Sequence, residues 1–467
     1  MTTADTSGYN KGKYGFEQQT FCMSWATTLS FNFTGEASEI ANQTKAMLVR
    51  VLQDEEIRKL IGIWDVVWGP GVYADSIVGP ERSVNSLFIV VPQEDPKQAV
   101  VAIAGTNGSS LIDWILQDLN VKETVPWPYG DPQTKAQISK GIYFGLDNLV
   151  TIESIDPMSN RSITAQQFLA SGSFTKVMVT GHSLGGALSP CYSLYLDETR
   201  SEWDASESAT IRCLPTAGPT SGDINFSEYY DSKLLATTSR KWNLMDIVPH
   251  AFNTEMLGKI PDLYEPDLSS NLVIKLLVAL IQQVTESLNY LNVSPQAAGF
   301  PSKYYTITDF AGQYKSIVEE IEKLAAILER DLTPFNIDAL DTNGLDTVTF
   351  LIQALIQHTI GYIVYFDIGD FVQRMTAISK QSMTLVSKPT DAGARLKKAL
   401  ASLTQKPIFL DLGQRSKRKI DELKAGEGPL LAAILEKVGE INKGKPNEGA
   451  QTLIFLVEED CTPLLTR

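Results

Sequence analysis

The sequence predicts an α/β protein with a mainly parallel, doubly wound sheet, a helical insertion and a helical C-terminal extension. Three observations carry this expectation. Short apolar runs of strand character at 86–92, 99–104, 177–180, 211–215 and 241–248 alternate with stretches of helical period. One of these runs enters Gly181-His182-Ser183-Leu184-Gly185 directly, and a helix-compatible segment, 187–196, follows. From about Ala251 the alternation stops, and 271–291, 310–332 and 347–358 read as helices.

Taken in order, residues 1–36 are polar and aromatic with little periodicity and read as an arm over the domain. Residues 37–63 read as one helix, because Leu48, Val51, Leu52, Ile57, Leu60 and Ile61 recur at helical spacing. The Gly-Pro pairs in 64–80 make that stretch loop-like. The run 99–104 reads as a buried strand that ends in Gly105-Thr106-Asn107-Gly108, with 111–119 following at helical spacing. Residues 137–150 lead towards the serine motif with an aromatic helical pattern. In the insertion, Phe310, Tyr314, Ile317, Ile321, Leu324 and Leu328 form one stripe, the mark of plain core packing. Beyond Gly369, residues 371–387, 392–404 and 428–443 are helix-prone, and the basic run 415–419 reads as a solvated face. The expected division is an N-terminal arm and helix (1–84), a core (85–250), a helical insertion (251–357), a histidine segment (358–369) and a helical extension (370–467).

Composition narrows the function. Of 467 residues, 43% are apolar and 20% charged, as in ordinary globular proteins. The net charge of −15 disfavours nucleic acid and electrostatic adsorption to anionic membranes. Four cysteines without C-x-x-C spacing and three histidines give no zinc pattern, so neither metal nor cofactor is expected. The N-terminus lacks the apolar stretch of a signal peptide, and no run reaches the roughly 18 apolar residues of a membrane span. The expected location is cytoplasmic, or secreted without a visible leader.

The chemistry centres on Ser183. Strand, G-x-S-x-G and helix make a nucleophile elbow, a sharp turn that raises the serine hydroxyl above the sheet. Flanking glycines let strand and helix approach where a Cβ would clash. Leu184, next in the chain, offers its N–H to an oxyanion. A serine hydroxyl needs an imidazole to take its proton and a carboxylate to orient that imidazole. The histidines are His182, His250 and His358. His182 lies inside the elbow and reads as structural. His250 stands only four residues beyond the candidate acid, Asp246, so His358 is preferred as the base. Asp246, between Met245 and Ile247 past a strand, sits where the acid is expected, with loop capping as the plainer reading. Gly105-Thr106 is the natural second oxyanion donor, through the Thr106 N–H and hydroxyl.

Five separated segments resemble the class 3 lipases, the fungal-type (Rhizomucor-like) family. They are Val177–Gly186 around the serine, Ala104-Gly105-Thr106 with Trp114 and Asp118, Gly218-Pro219-Thr220-Ser221-Gly222, the Asn243-to-Pro249 acid segment, and His358 with Tyr362. The likeness covers about 85–250 and the region of His358. It implies an α/β-hydrolase fold, hydrolysis of carboxylic esters, typically acylglycerols, and a triad of Ser183, Asp246 and His358 with Thr106 and Leu184 as oxyanion donors. It also implies a lid at 111–119. The chain departs from the pattern at Ala104, where arginine is usual, and at Thr220-Ser221, which replace Arg-Val. The long path from Asp246 to His358 implies a helical insertion at the mouth of the site. The expectation is therefore a serine esterase or lipase acting on a lipid or other ester, at a lipid–water interface if the lid moves. A phospholipase, galactolipase or bulky-ester esterase is the alternative within enzymes. A lipase-like scaffold that binds partners without hydrolysis is the alternative outside them.

Overall fold

The computed structural model describes residues 11–75, 82–105, 121–156, 159–270, 272–306, 309, 344–383, 408–415 and 453–459. The segments 310–332, 392–404 and 428–443, read above as helices, lie outside the described residues.

A five-stranded sheet runs in the order β1 (Trp64–Asp75), β2 (Arg82–Pro92), β3 (Gln98–Ile103), β4 (Lys176–His182), β5 (Thr210–Thr216). It is mixed. β3–β4 and β4–β5 pair in parallel, whereas β1–β2 and β2–β3 are antiparallel. The helices named below are α1 (Phe16–Ala26), α2 (Ala37–Gln53), α3 (Glu55–Ile61), α4 (Lys140–Thr151), α5 (Leu184–Glu198), α6 (Ile224–Leu234), α7 (Leu272–Thr285), α8 (Gly344–His358), α9 (Ile360–Tyr365) and α10 (Gly369–Met383).

Both faces of the sheet are covered, which is why its strands are apolar on both sides. Successive residues of a strand point to opposite faces, and the core divides accordingly. Val100, Ala102 and Met178 join Met23, Leu48, Ile57 and Phe371, from α1, α2, α3 and α10. Val101, Ile103, Val177 and Val179 join Leu146, Leu188 and Phe226, from α4, α5 and α6. Ile274 and Val278 of α7 enter the first of these cores, so the described part of the insertion packs into the same core as the sheet.

Four expectations change. Residues 64–75 form a strand instead of a loop. Gly69 and Pro70 sit at the sheet edge, where the pairing with β2 slips between Trp68 and Gly71. Edge position and a bulge are the two settings in which a strand tolerates proline. The sheet thus begins at Trp64, ahead of the boundary expected at 85. Residues 16–26 form a helix that belongs to the core. Because α1 is covered on nearly all sides, it carries no amphipathic stripe to betray it. The single helix expected over 37–63 is broken at Asp54, whose carboxylate caps α3 by accepting from Glu56 N and Ile57 N. Arg374 of α10 grips the same carboxylate at 3.0 and 2.6 Å and holds its pKa below the usual range. Residues 241–248 are not a strand: isolated bridges at Lys241 and Asn243 give way to a turn. There Asn243 Oδ1 accepts from Met245 N and Asp246 Oδ1 from Val248 N, side-chain bonds that compete with a ladder. In the C-terminal part, α10 is followed by two strands, Ile408–Arg415 and Leu453–Glu459, paired in parallel.

Phe21 of α1 is fully buried and stacks on Phe366 with centroids 4.0 Å apart. Phe21→Ala is expected to cost about 3–5 kcal/mol in urea unfolding. A loss below about 1 kcal/mol would mean that α1 is an appendage and not core.

Candidate active site

β4 ends at His182 and α5 begins at Leu184, so Ser183 alone makes the turn. It does so at φ 61° and ψ −125°, a conformation that side chains avoid. Such a residue costs on the order of 1–3 kcal/mol and persists only where its surroundings dictate it. Here the surroundings are backbone. A Cβ on Gly181 would overlap the Gly185 carbonyl, and one on Gly185 would lie 2.5 Å from Ile103 O at the end of β3. Ser183 N donates to Thr216 O at the end of β5 (3.1 Å), and Ser183 O accepts from Gly186 N at 2.8 Å. The serine is therefore fixed at the carboxyl end of the parallel strands and at the N-terminus of a 15-residue helix. Ligands of open α/β sheets bind at that end.

Asp246 and His358 are brought together. His358 Nδ1 lies 2.8 Å from Asp246 Oδ2, with the two side chains 3% and 0% exposed. A carboxylate only accepts, so Nδ1 carries a proton, and in the neutral ring Nε2 then keeps its lone pair. Tyr362, four residues beyond His358, donates its hydroxyl to the same Oδ2 at 2.9 Å. Val248 N donates to Oδ1 at 3.0 Å, and Asn243 N donates to Tyr362 Oη at 3.0 Å. Asn243 Nδ2 donates to Gln357 O and Oε1, which ties the acid turn to the end of α8. Among the described residues, two buried polar atoms here have no hydrogen-bond partner: Ser183 Oγ and His358 Nε2. The ring of His182, next to Ser183 in the chain, lies 4.9 Å from the His358 ring between centroids.

His250 has a different place. Its Nδ1 donates to the Asp246 backbone carbonyl at 2.7 Å, and its ring packs edge-on against Trp242. Burial lowers its pKa. His182 is enclosed by Phe21, Trp25, Tyr362 and His358. Some of its surface stays accessible, yet both ring nitrogens are engaged inside this box. Desolvation there holds its pKa well below the ordinary imidazole value, with the neighbouring His358 adding to the effect. The reading of His182 as structural misses its partners, Thr216 and the His358 carbonyl. Gln357 and Thr216 carried no signal in the sequence beyond being polar next to apolar runs.

Leu184 opens α5, whose first N–H groups have no acceptor within the helix and point their dipoles at the serine. Gly105 follows β3 directly beside the elbow: a Cβ there would lie 2.5 Å from His182 O and 3.2 Å from Ser183 Cβ. Thr106 and the segment 111–119 lie outside the described residues. No group of three or more His, Cys, Asp or Glu side chains could hold a metal among the described residues. Among them, too, no single helix is long and apolar enough to cross a membrane.

Residues 100–256 match the sequence model of the class 3 lipases. Among solved structures the chain is similar to one titled M37 lipase, at 23% identity and a TM-score of 0.61, covering 78% of this chain and 97% of that one. It is also similar to lipase II from Rhizopus niveus (17% identity, 51% and 76% covered, TM-score 0.32) and to the Rhizomucor miehei triacylglyceride lipase (18%, 54% and 76%, 0.31). No curated protein matches. The fold is thus of the α/β-hydrolase type, and the match over residues 100–256 supports a carboxylic ester hydrolase in general.

Two predictions follow from the geometry. Tyr362→Phe strands the buried Asn243 N–H and removes a donor from Asp246; chemical denaturation should register a loss of about 1–3 kcal/mol. The second concerns acid. His182 and His250 both have folded pKa values below the unfolded value near 6.5, so below that pH the unfolded chain binds the extra protons. Their contribution is complete above about 6.5 and is lost as the pH falls towards the folded values. Melting temperatures between pH 8 and 5 should fall with pH, and His250→Asn, which keeps a donor for Asp246 O, should flatten the slope.

Proposed function

We propose that the chain hydrolyses lipid carboxylic esters, acylglycerols first among them, through Ser183, His358 and Asp246. The observation that carries this reading is the Asp246–His358 pair at 2.8 Å, with His358 Nε2 and Ser183 Oγ left as buried, unpartnered atoms nearby. Buried polar atoms are normally satisfied, and the exceptions cluster where a reacting group must enter.

In the proposed reaction, Ser183 Oγ attacks the ester carbonyl carbon as its proton passes to His358 Nε2. The carbonyl π electrons move onto oxygen, and the N–H of Leu184 with that of Thr106 receives the oxyanion. Collapse breaks the carbon–alkoxide bond, and the alcohol leaves with the proton from Nε2. Water then repeats the sequence on the acyl-enzyme, giving up a proton to His358 and releasing the acid and Ser183. Asp246 holds the Nδ1–H tautomer throughout and balances the imidazolium that forms. Gly105, packed against the elbow, supports Thr106 as the second donor.

Ser183→Ala should lower kcat on a p-nitrophenyl ester by at least about 10⁴-fold. A panel of triacylglycerol, phospholipid and short soluble esters, with Ser183→Ala as the blank, tests the substrate class. Full turnover by the alanine variant would overturn the triad. Faster cleavage of phospholipid than of triacylglycerol would overturn the preference for acylglycerols.

A further inference from the structure

The reaction above uses the His358 ring, but the backbone that carries the ring has a device of its own. α8 ends at His358 and α9 starts at Ile360. In an unbroken helix the His358 carbonyl would accept from the N–H four residues on, at Tyr362. Here Thr359 departs from helical geometry (φ −114°, ψ −74°), and Tyr362 N donates to Thr359 O instead. The break leaves the His358 carbonyl without its helical donor. That carbonyl meets His182 Nε2 at 2.9 Å.

We propose that His182 is a positioning residue for the catalytic base: its Nε2–H, donated to the His358 carbonyl, fixes the backbone that aims the His358 ring at Ser183. The inference rests on the triad reading. Its chemistry follows from the partners. A carbonyl only accepts, so Nε2 must carry a proton. In the neutral ring Nδ1 is then an acceptor, and the Thr216 hydroxyl, 3.1 Å away, is the donor within its reach. The Thr216 hydroxyl also lies 3.0 Å from Gly181 O. Its one proton is shared between Nδ1 and Gly181 O, since serving either acceptor leaves the other facing an oxygen lone pair.

The aromatic box keeps this ring in place. Phe21 and Trp25 come from α1, which lies outside the residues matched to the lipase family. α1 is itself fastened to the far side of the histidine segment: Gln18 Nε2 donates to Phe366 O at 2.8 Å, and Phe21 stacks on Phe366. Elbow, base and N-terminal helix thereby form one unit. Ser183 and its base are linked through the single residue between Gly181 and Ser183, so a shift of one is transmitted to the other.

Two substitutions separate positioning from packing. His182→Phe fills the box but removes both ring nitrogens, whereas His182→Gln can still present an amide N–H near the place of Nε2. On a soluble p-nitrophenyl ester, His182→Phe is expected to lose about 10- to 100-fold in kcat with KM within about twofold, as misplacement of a reacting group does. Its rate of labelling by a fluorophosphonate should fall in parallel. His182→Gln should recover most of both. Thr216→Val, which removes the donor to Nδ1 at nearly constant volume, should lower kcat less and leave KM alone; it stands in if His182→Phe does not fold. Unchanged kcat in His182→Phe, or in Thr216→Val where that stands in, would overturn the proposal. So would equal losses in His182→Phe and His182→Gln accompanied by equal falls in melting temperature. Full activity of Ser183→Ala would instead overturn the triad itself, an outcome distinct from both.

Discussion

A carboxylate with no exposed surface must be supplied with donors from inside the protein, and Asp246 imposes that requirement on three parts of the chain. The turn after Lys241 supplies Val248 N, the end of α8 supplies the His358 ring, and α9 supplies the Tyr362 hydroxyl. Removing one partner from such a group costs far more than one exposed hydrogen bond. This need explains why the segment after Lys241 turns instead of extending as a strand. It also explains why a histidine and a tyrosine four apart straddle a helix break. The acid does not merely join the site; it determines where the helical part docks on the sheet.

The second constraint is close backbone contact at the elbow. Ser183 holds its strained conformation because β3, β5 and α5 meet there without side chains between them. The same closeness brings His182 under the histidine segment, where its ring contacts Tyr362 and His358. From there the contacts run outward through Phe21 to Phe366 and α10. The N-terminal and C-terminal helices therefore support the site from behind, although neither lies among the residues matched to class 3 lipases. The described insertion does likewise: Tyr264 packs on Phe350 of α8 at 4.7 Å between centroids, behind the helix that ends in His358.

Three of the differences between expectation and structure share a cause, whereas the turn at 243–248 is made by its own Asn243 and Asp246 side chains. Gly69 and Pro70 are ordinary turn residues in sequence, and only edge position and a bulge let them lie in β1. α1 has no hydrophobic stripe because nearly every side of it is covered, so periodicity had nothing to detect. Asp54 looked like one more polar residue on a long helix until Arg374, 320 residues away, made it a cap with a paired charge. In each case the deciding partner is remote in sequence, and local patterns carry no trace of it.

By itself, the sequence determined the strands β2 to β5, the elbow and Asp246 as the candidate acid. Those readings depend on local period and on glycine spacing, which neighbouring residues impose directly. It also narrowed the base to one of two histidines by scarcity alone. Only the tertiary structure separates their positions, because His250 and His358 both follow Asp246 in the chain and differ in which atom of it they meet. His250 reaches the backbone carbonyl and His358 the carboxylate. The roles of Thr216, Gln357, α1 and the His182 ring were likewise decided there, since each rests on a contact across the fold and not on a pattern along it.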